Sequence, residues 1–103
     1  MQSKGNAPNK AQKDFRENLR SLYPGSEIHH PVGTTGKHNK IHIGHWWILA
    51  ISLGEHNMAH AMGKARKSYE KEVFQSQMRM YFNRYFQMPV PDAVLEAIQD
   101  YHL

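Results

Sequence analysis

Between Lys10 and Tyr23 the apolar residues are Ala11, Phe15, Leu19, Leu22 and Tyr23. Steps of three and four residues place them on one face of a helix, with Lys10, Lys13, Arg16 and Arg20 on its polar side. Those cations make either a solvated face or a phosphate-contacting one. Pro24-Gly25 predicts the end of the helix and a turn. Ser26 to His30 reads as a short extended segment, and Pro31 biases His30 toward β or polyproline angles. Residues 31–44, rich in Gly, Thr, Lys and Asn, predict a long connection, and a loop of that length in a small domain is usually functional. HWWILAIS, residues 45–52, is β-branched and aromatic and predicts a buried strand. Trp46 and Trp47 should alternate across it, one in the core and the other packed beneath a flanking helix in preference to stacking on a base. Leu53-Gly54 predicts the turn that follows.

The second half is helical in pattern. Glu55 to Ala65 carries Met58, Ala59, Ala61 and Met62, and Gly63 weakens or ends that helix. Ser68 to Gln87 has the strongest periodicity, with Phe74, Met78, Tyr81 and Tyr85 in one stripe widened by Val73, Met80 and Phe82. Methionine and aromatic residues at this spacing read as core rather than as a cofactor box. Met88-Pro89-Val90-Pro91 is a rigid connector, and Asp92 to Tyr101 predicts a last helix bearing Val94, Leu95, Ile98 and Tyr101. The expected order is helix, short strand, long loop, strand, helix, helix, helix. The expected class is therefore α+β, in one domain over residues 1–103 with residues 1–9 as a frayed basic tail.

Composition narrows the partners. The chain has 103 residues, 40% of them hydrophobic, which suits one modest core. A net charge of +4 and a pI near 9.5 favour a polyanion. There is no cysteine, so disulfide frameworks and cysteine-ligated zinc ribbons are excluded. MQSKGNAPNK has no apolar centre and does not read as a signal peptide. The longest apolar run, Trp46 to Leu53, is too short to span a bilayer. A cytoplasmic protein with no membrane partner is expected.

The unusual chemistry is histidine. Seven of eight histidines lie between Ser26 and Lys64: His29, His30, His38, His42, His45, His56 and His60. On a helix, His56 and His60 share a face one turn apart and can put two imidazoles on one cation. Asn57 and Met58 follow His56, so the metalloprotease His-Glu-x-x-His motif and its general base are missing. His29 and His30, adjacent on a strand, point to opposite sides, so one can face a metal while the other faces a substrate. Phosphodiester hydrolysis needs that division: a metal for the leaving oxygen and a base for the water. Imidazole suits the base, with an ordinary pKa of about 6.5.

Glu27-Ile28-His29-His30, then His45 leading WWILAIS, then His56-Asn57-Met58-Ala59-His60 together resemble the HNH, ββα-metal or His-Me finger, endonucleases. The all-histidine set is most similar to the DNase colicins. EIHH and the His-aromatic strand also look like phage recombination-enhancing, RecA-dependent nucleases. The resemblance covers about 40 residues, 26–64, and implies a small ββα-metal hairpin-helix core; the N-terminal helix and the two C-terminal helices in 68–103, read from periodicity, would flank it. It implies His29, His56 and His60 as ligands of one divalent metal, His30 as the base that deprotonates water, and His45 as a residue that braces the loop or orients the base. It further implies DNA as substrate, a recombinase filament as partner, and a bacterial host cell as the compartment of a phage-encoded protein. Two departures stand out. The cysteine pairs that staple many relatives are absent, and His45 replaces the usual Asn.

Three imidazoles favour Zn²⁺, Ni²⁺ or Mn²⁺ by ligand softness, whereas the resemblance also admits Mg²⁺. Lys37, His38, Lys40 and His42 in the long loop, with Lys64, Arg66 and Lys67 after the His-x-x-x-His, are candidate phosphate contacts. The alternatives to a nuclease are a nucleic-acid-binding recombination accessory protein of the same fold that does not cut, and a protein whose histidines hold a structural Zn²⁺.

Overall fold

Each of the first two helices starts where a side chain can satisfy its free N–H groups. In the computed structural model, which describes residues 8–31, 37–38, 41–42 and 44–100, helix α1 spans Lys10–Leu22. Asn9 caps it: the Asn9 side chain accepts from Gln12 N–H, and Gln12 reaches back to Asn9 N–H at 2.9 Å. Strand β1 (Glu27–His29) follows the Pro24-Gly25 turn, in which Gly25 has φ +82°. Then come β2 (Lys37–His38), β3 (Ile41–His42), a 3₁₀ turn at Gly44–Trp46, and β4 (Leu49–Ile51). Helix α2 (Leu53–Ala61), a second 3₁₀ turn at Gly63–Ala65, α3 (Arg66–Tyr85) and α4 (Asp92–Asp100) complete the order. The fold is a small α+β one, as expected. The N-terminal tail through residue 7, Lys40 and Tyr101 lie outside the described residues.

β1 pairs antiparallel with β4 in the register Glu27↔Ile51, Ile28↔Ala50 and His29↔Leu49. The other edge of β4 is closed by a side chain. Ala50 donates its N–H to Gln77 Oε1 at 3.0 Å and accepts from Gln77 Nε2 at 2.7 Å. Gln77 on α3 thus replaces a third strand, and both Ala50 backbone groups are satisfied inside the core. β1, β4 and α2 together form two antiparallel strands leading into a helix.

The core gathers Phe15 and Leu19 of α1, residues 46–51, Phe74, Met78 and Tyr81 of α3, and Val90, Val94, Ala97 and Ile98 around α4. Aromatic contacts link the layers: Phe15 lies 5.6 Å from Trp46 and 5.4 Å from Tyr81, and Trp47 meets Phe74 edge-on at 5.0 Å.

Several expectations are corrected. Within residues 31–44, where a long loop is expected, the described residues include two short strands, β2 and β3, paired as Lys37↔His42 and His38↔Ile41 beside α4. The strand expected over 45–52 is only Leu49–Ile51, because β1 offers just three residues to pair with and Gly44, at φ +50°, starts a 3₁₀ turn instead. Both tryptophans are consequently buried rather than alternating across a strand. Leu53-Gly54 is the first turn of α2, since Ser52 and Glu55 form a capping box with Glu55 N–H donating to Ser52 Oγ at 3.1 Å. Met80 and Phe82 stay half exposed, because helical geometry turns them about 100° from the centre of the buried stripe of α3.

Candidate metal centre

Strand β1 and helix α2 each bring histidine to one place. Because Leu49 of β4 pairs with His29 and β4 leads directly into the Ser52 cap of α2, His29 faces the first turns of that helix. There His56 and His60, one turn apart, meet it. One ring nitrogen from each of the three lies within 4.8 Å of the others. The His29 and His56 Nδ1 atoms are 2.8 Å apart, and the His56 and His60 ring centroids 4.7 Å apart. His29 is fully buried, His56 half-buried and His60 exposed, so the cluster has a closed floor and an open side. These three histidines could hold a metal ion, and an ion on three imidazoles keeps positions open for water or substrate.

Hydrogen bonds around the cluster constrain the tautomers. His29 Nε2 lies 2.5 Å from Oε2 of Glu70, a fully buried residue of α3. A carboxylate oxygen accepts, so Nε2 carries the proton and the Nδ1 lone pair faces the cluster. The same Glu70 oxygen accepts from Arg66 Nε at 2.9 Å. Arg66 also approaches His60 Nδ1 through a terminal nitrogen at 3.3 Å. Arginine only donates, so His60 Nδ1 accepts there. Ligation by His60 is incompatible with that bond in either tautomer. An ion on Nδ1 uses its lone pair, and an ion on Nε2 leaves the proton on Nδ1. Ligation of a metal by His60 would therefore free one side of the Arg66 guanidinium.

Burial holds the His29 pKa below 6.5; the hydrogen bond and charge of Glu70 oppose that shift, and His56 and Arg66 add to it. The neutral ring this favours is the form that ligates a metal.

His30 follows directly after the last residue of β1. It is exposed, outside the three-histidine group, and its ring meets that of His45 edge-on at 5.7 Å. His45 reaches it from the 3₁₀ turn rather than from a strand. Desolvation lowers the His30 pKa below 6.5, and the neighbouring His45, His29 and Arg16 lower it further. An imidazole kept neutral and open to solvent can accept a proton.

The remaining candidates separate. Lys64 and Lys67 are exposed around the α3 start, and Arg66 between them belongs to the cluster's own hydrogen-bond network. Lys37, His38 and His42 fall on the β2–β3 pair, a second sheet from the one that carries His29. Lys40 lies outside the described residues. Glu70 was missed by sequence reasoning. Its signal was phase: it sits four residues before Phe74, on the buried stripe, where a carboxylate is costly without a partner. Gln77 was missed in the same way.

No helix among the described residues is long and apolar enough to cross a membrane. Comparison with known proteins adds no family: no protein-family model, no curated protein and no solved structure matches this chain.

Proposed function

We propose that this chain is a metal-dependent DNA endonuclease. The observation that carries the reading is the separation of two adjacent histidines, His29 buried in a three-histidine cluster and His30 exposed beside His45. The donor set fits a divalent ion: three imidazoles, one buried and oriented by a carboxylate, with an open side. Mg²⁺, Mn²⁺, Zn²⁺ and Ni²⁺ are the ions to test. When bound, such an ion supplies Lewis-acid stabilisation of charge on the phosphate and its leaving oxygen.

The residues of the chain do the rest. His30 takes a proton from water through a ring lone pair as the water oxygen bonds to phosphorus and the bond to the leaving oxygen breaks. Contact with His45 limits the ways the His30 ring can turn. Arg66, released from His60, is left with donors for a phosphate oxygen beside the cluster. Lys64 and Lys67 flank it with positive charge suited to the neighbouring backbone phosphates. The chain's net charge of +4 agrees with a polyanionic substrate. Phage DNA recombination or processing, beside a recombinase filament, is the setting we assign on the resemblance.

Supercoiled plasmid incubated with the protein and each divalent ion in turn tests the proposal. Nicked circles should form with metal, disappear with chelator, and be lost in His56→Ala. Tight DNA binding without nicking under every ion would instead support a non-cleaving accessory role.

A further inference from the structure

We infer that Glu70 is a positioning residue that selects the ligating tautomer of His29, so that α3 is part of the metal centre. The inference rests on the metal-site reading above and deepens it.

Glu70 occupies a core position. It is fully buried, one helical turn before Phe74 on the stripe that packs against the sheet. An apolar residue would serve packing better, because a buried ion pair seldom adds to stability over well-packed hydrophobic side chains. What the carboxylate does there is specific. Its Oε2 stands 2.5 Å from Nε2 of His29, itself fully buried. With no solvent at that ring, the protein alone decides which nitrogen carries the proton. Glu70 holds it on Nε2. The Nδ1 lone pair is thereby fixed toward His56, where the histidine nitrogens converge. Arg66, 2.9 Å from the same oxygen, keeps the carboxylate aimed. Without this acceptor His29 can place its proton on Nδ1, and in that form the ring offers no lone pair to an ion at the cluster. Ionised Glu70 also raises the donor strength of the imidazole, as outer-sphere carboxylates do for metal-bound histidines.

Glu70→Gln separates the two effects. The amide oxygen it introduces still accepts from Nε2–H but lacks the charge, whereas alanine loses both. Zn²⁺ affinity, measured by competition with a chromophoric chelator, should fall by about tenfold in Glu70→Gln and by up to about a hundredfold in Glu70→Ala. In metal-free protein, ¹⁵N imidazole spectra should show the proton of His29 on Nε2 in the parent and in Glu70→Gln. Glu70→Ala should move it to Nδ1 or to a mixture. Should Glu70→Ala fail to fold, Glu70→Met, which fills the space and leaves the Arg66–His60 contact in place, replaces it in both measurements with the same expected results. Zn²⁺ affinity within about twofold of the parent in every folded variant overturns the inference, being well short of the loss an outer-sphere partner should cause. An unchanged His29 tautomer in Glu70→Ala, or in the variant that replaces it, overturns it as well. A parent that binds no Zn²⁺ overturns the metal-site reading instead, and the tautomer spectra still decide the role of Glu70.

Discussion

Gln77→Leu is the substitution whose cost can be worked most directly from the structure. Gln77 makes two hydrogen bonds to Ala50, at 3.0 and 2.7 Å, and both residues are buried. Leucine fills much of the same space but leaves the Ala50 N–H and C=O without partners. Each buried backbone group left unsatisfied costs about 1–3 kcal/mol, and the more apolar side chain returns part of that. A net loss of about 2–4 kcal/mol is expected, a large share of the stability of a domain this small. At roughly 4–8 °C per kcal/mol, the melting temperature should fall by about 10 °C or more. The neighbouring exposed Ser76→Ala is the control and should stay within about 0.5 kcal/mol of the parent. Urea unfolding followed by circular dichroism, with thermal melts alongside, measures both. A Gln77→Leu midpoint equal to that of the parent would refute the idea that this side chain closes the edge of β4.

Other outcomes follow from the same structure. Zn²⁺ at about a hundred times its dissociation constant should stabilise the parent by about 2.7 kcal/mol, seen as a raised melting temperature, while His56→Ala should gain almost nothing; equal shifts in both would place the ion elsewhere. The acidic limb of the cleavage profile should lie below pH 6.5, since desolvation, His45, His29 and Arg16 all hold the His30 proton affinity down, and His45→Ala should move that limb upward. For His29 the folded pKa lies below the unfolded 6.5, so between those values the unfolded chain binds more protons, and metal-free protein should lose stability as pH falls below 6.5. Chemical denaturation from about pH 7.5 to about pH 5 checks this, and a midpoint that rises on acidification would contradict it. Phe86 caps α3 at φ 58° while 81% exposed, so Phe86→Gly should stabilise by about 0.5–1 kcal/mol in a thermal melt, the relieved strain outweighing the added freedom of the unfolded chain.

The sequence carried the helices well because their signals are local. The Phe15/Leu19 and Phe74/Met78/Tyr81 stripes are legible at helical spacing, and these residues are buried. The strands were less legible. A three-residue ladder such as Glu27–His29 against Leu49–Ile51 leaves almost no alternation to read, and its limits depend on a partner about 20 residues away. The 3₁₀ turn at Gly44–Trp46 runs straight into an aromatic and β-branched stretch, and only the left-handed Gly44 marks it off from a strand. At the site, the approach of the His29-His30 pair to His56 and His60 could be expected from their order along the chain, and the resemblance singled out His29. The network behind them could not. Glu70 and Gln77 act through helix phase and distant partners, and a pattern that counts only apolar positions passes over polar residues on a buried face.

The central claim is that His30 acts as base beside a metal held by His29, His56 and His60. Its most direct test is the DNA-cleavage rate of His30→Ala loaded with one equivalent of Mn²⁺, with metal content measured on the same sample. The account predicts parental metal content and cleavage slower by about 10²–10⁴-fold. A fully loaded His30→Ala protein that cleaves at the parental rate would contradict it.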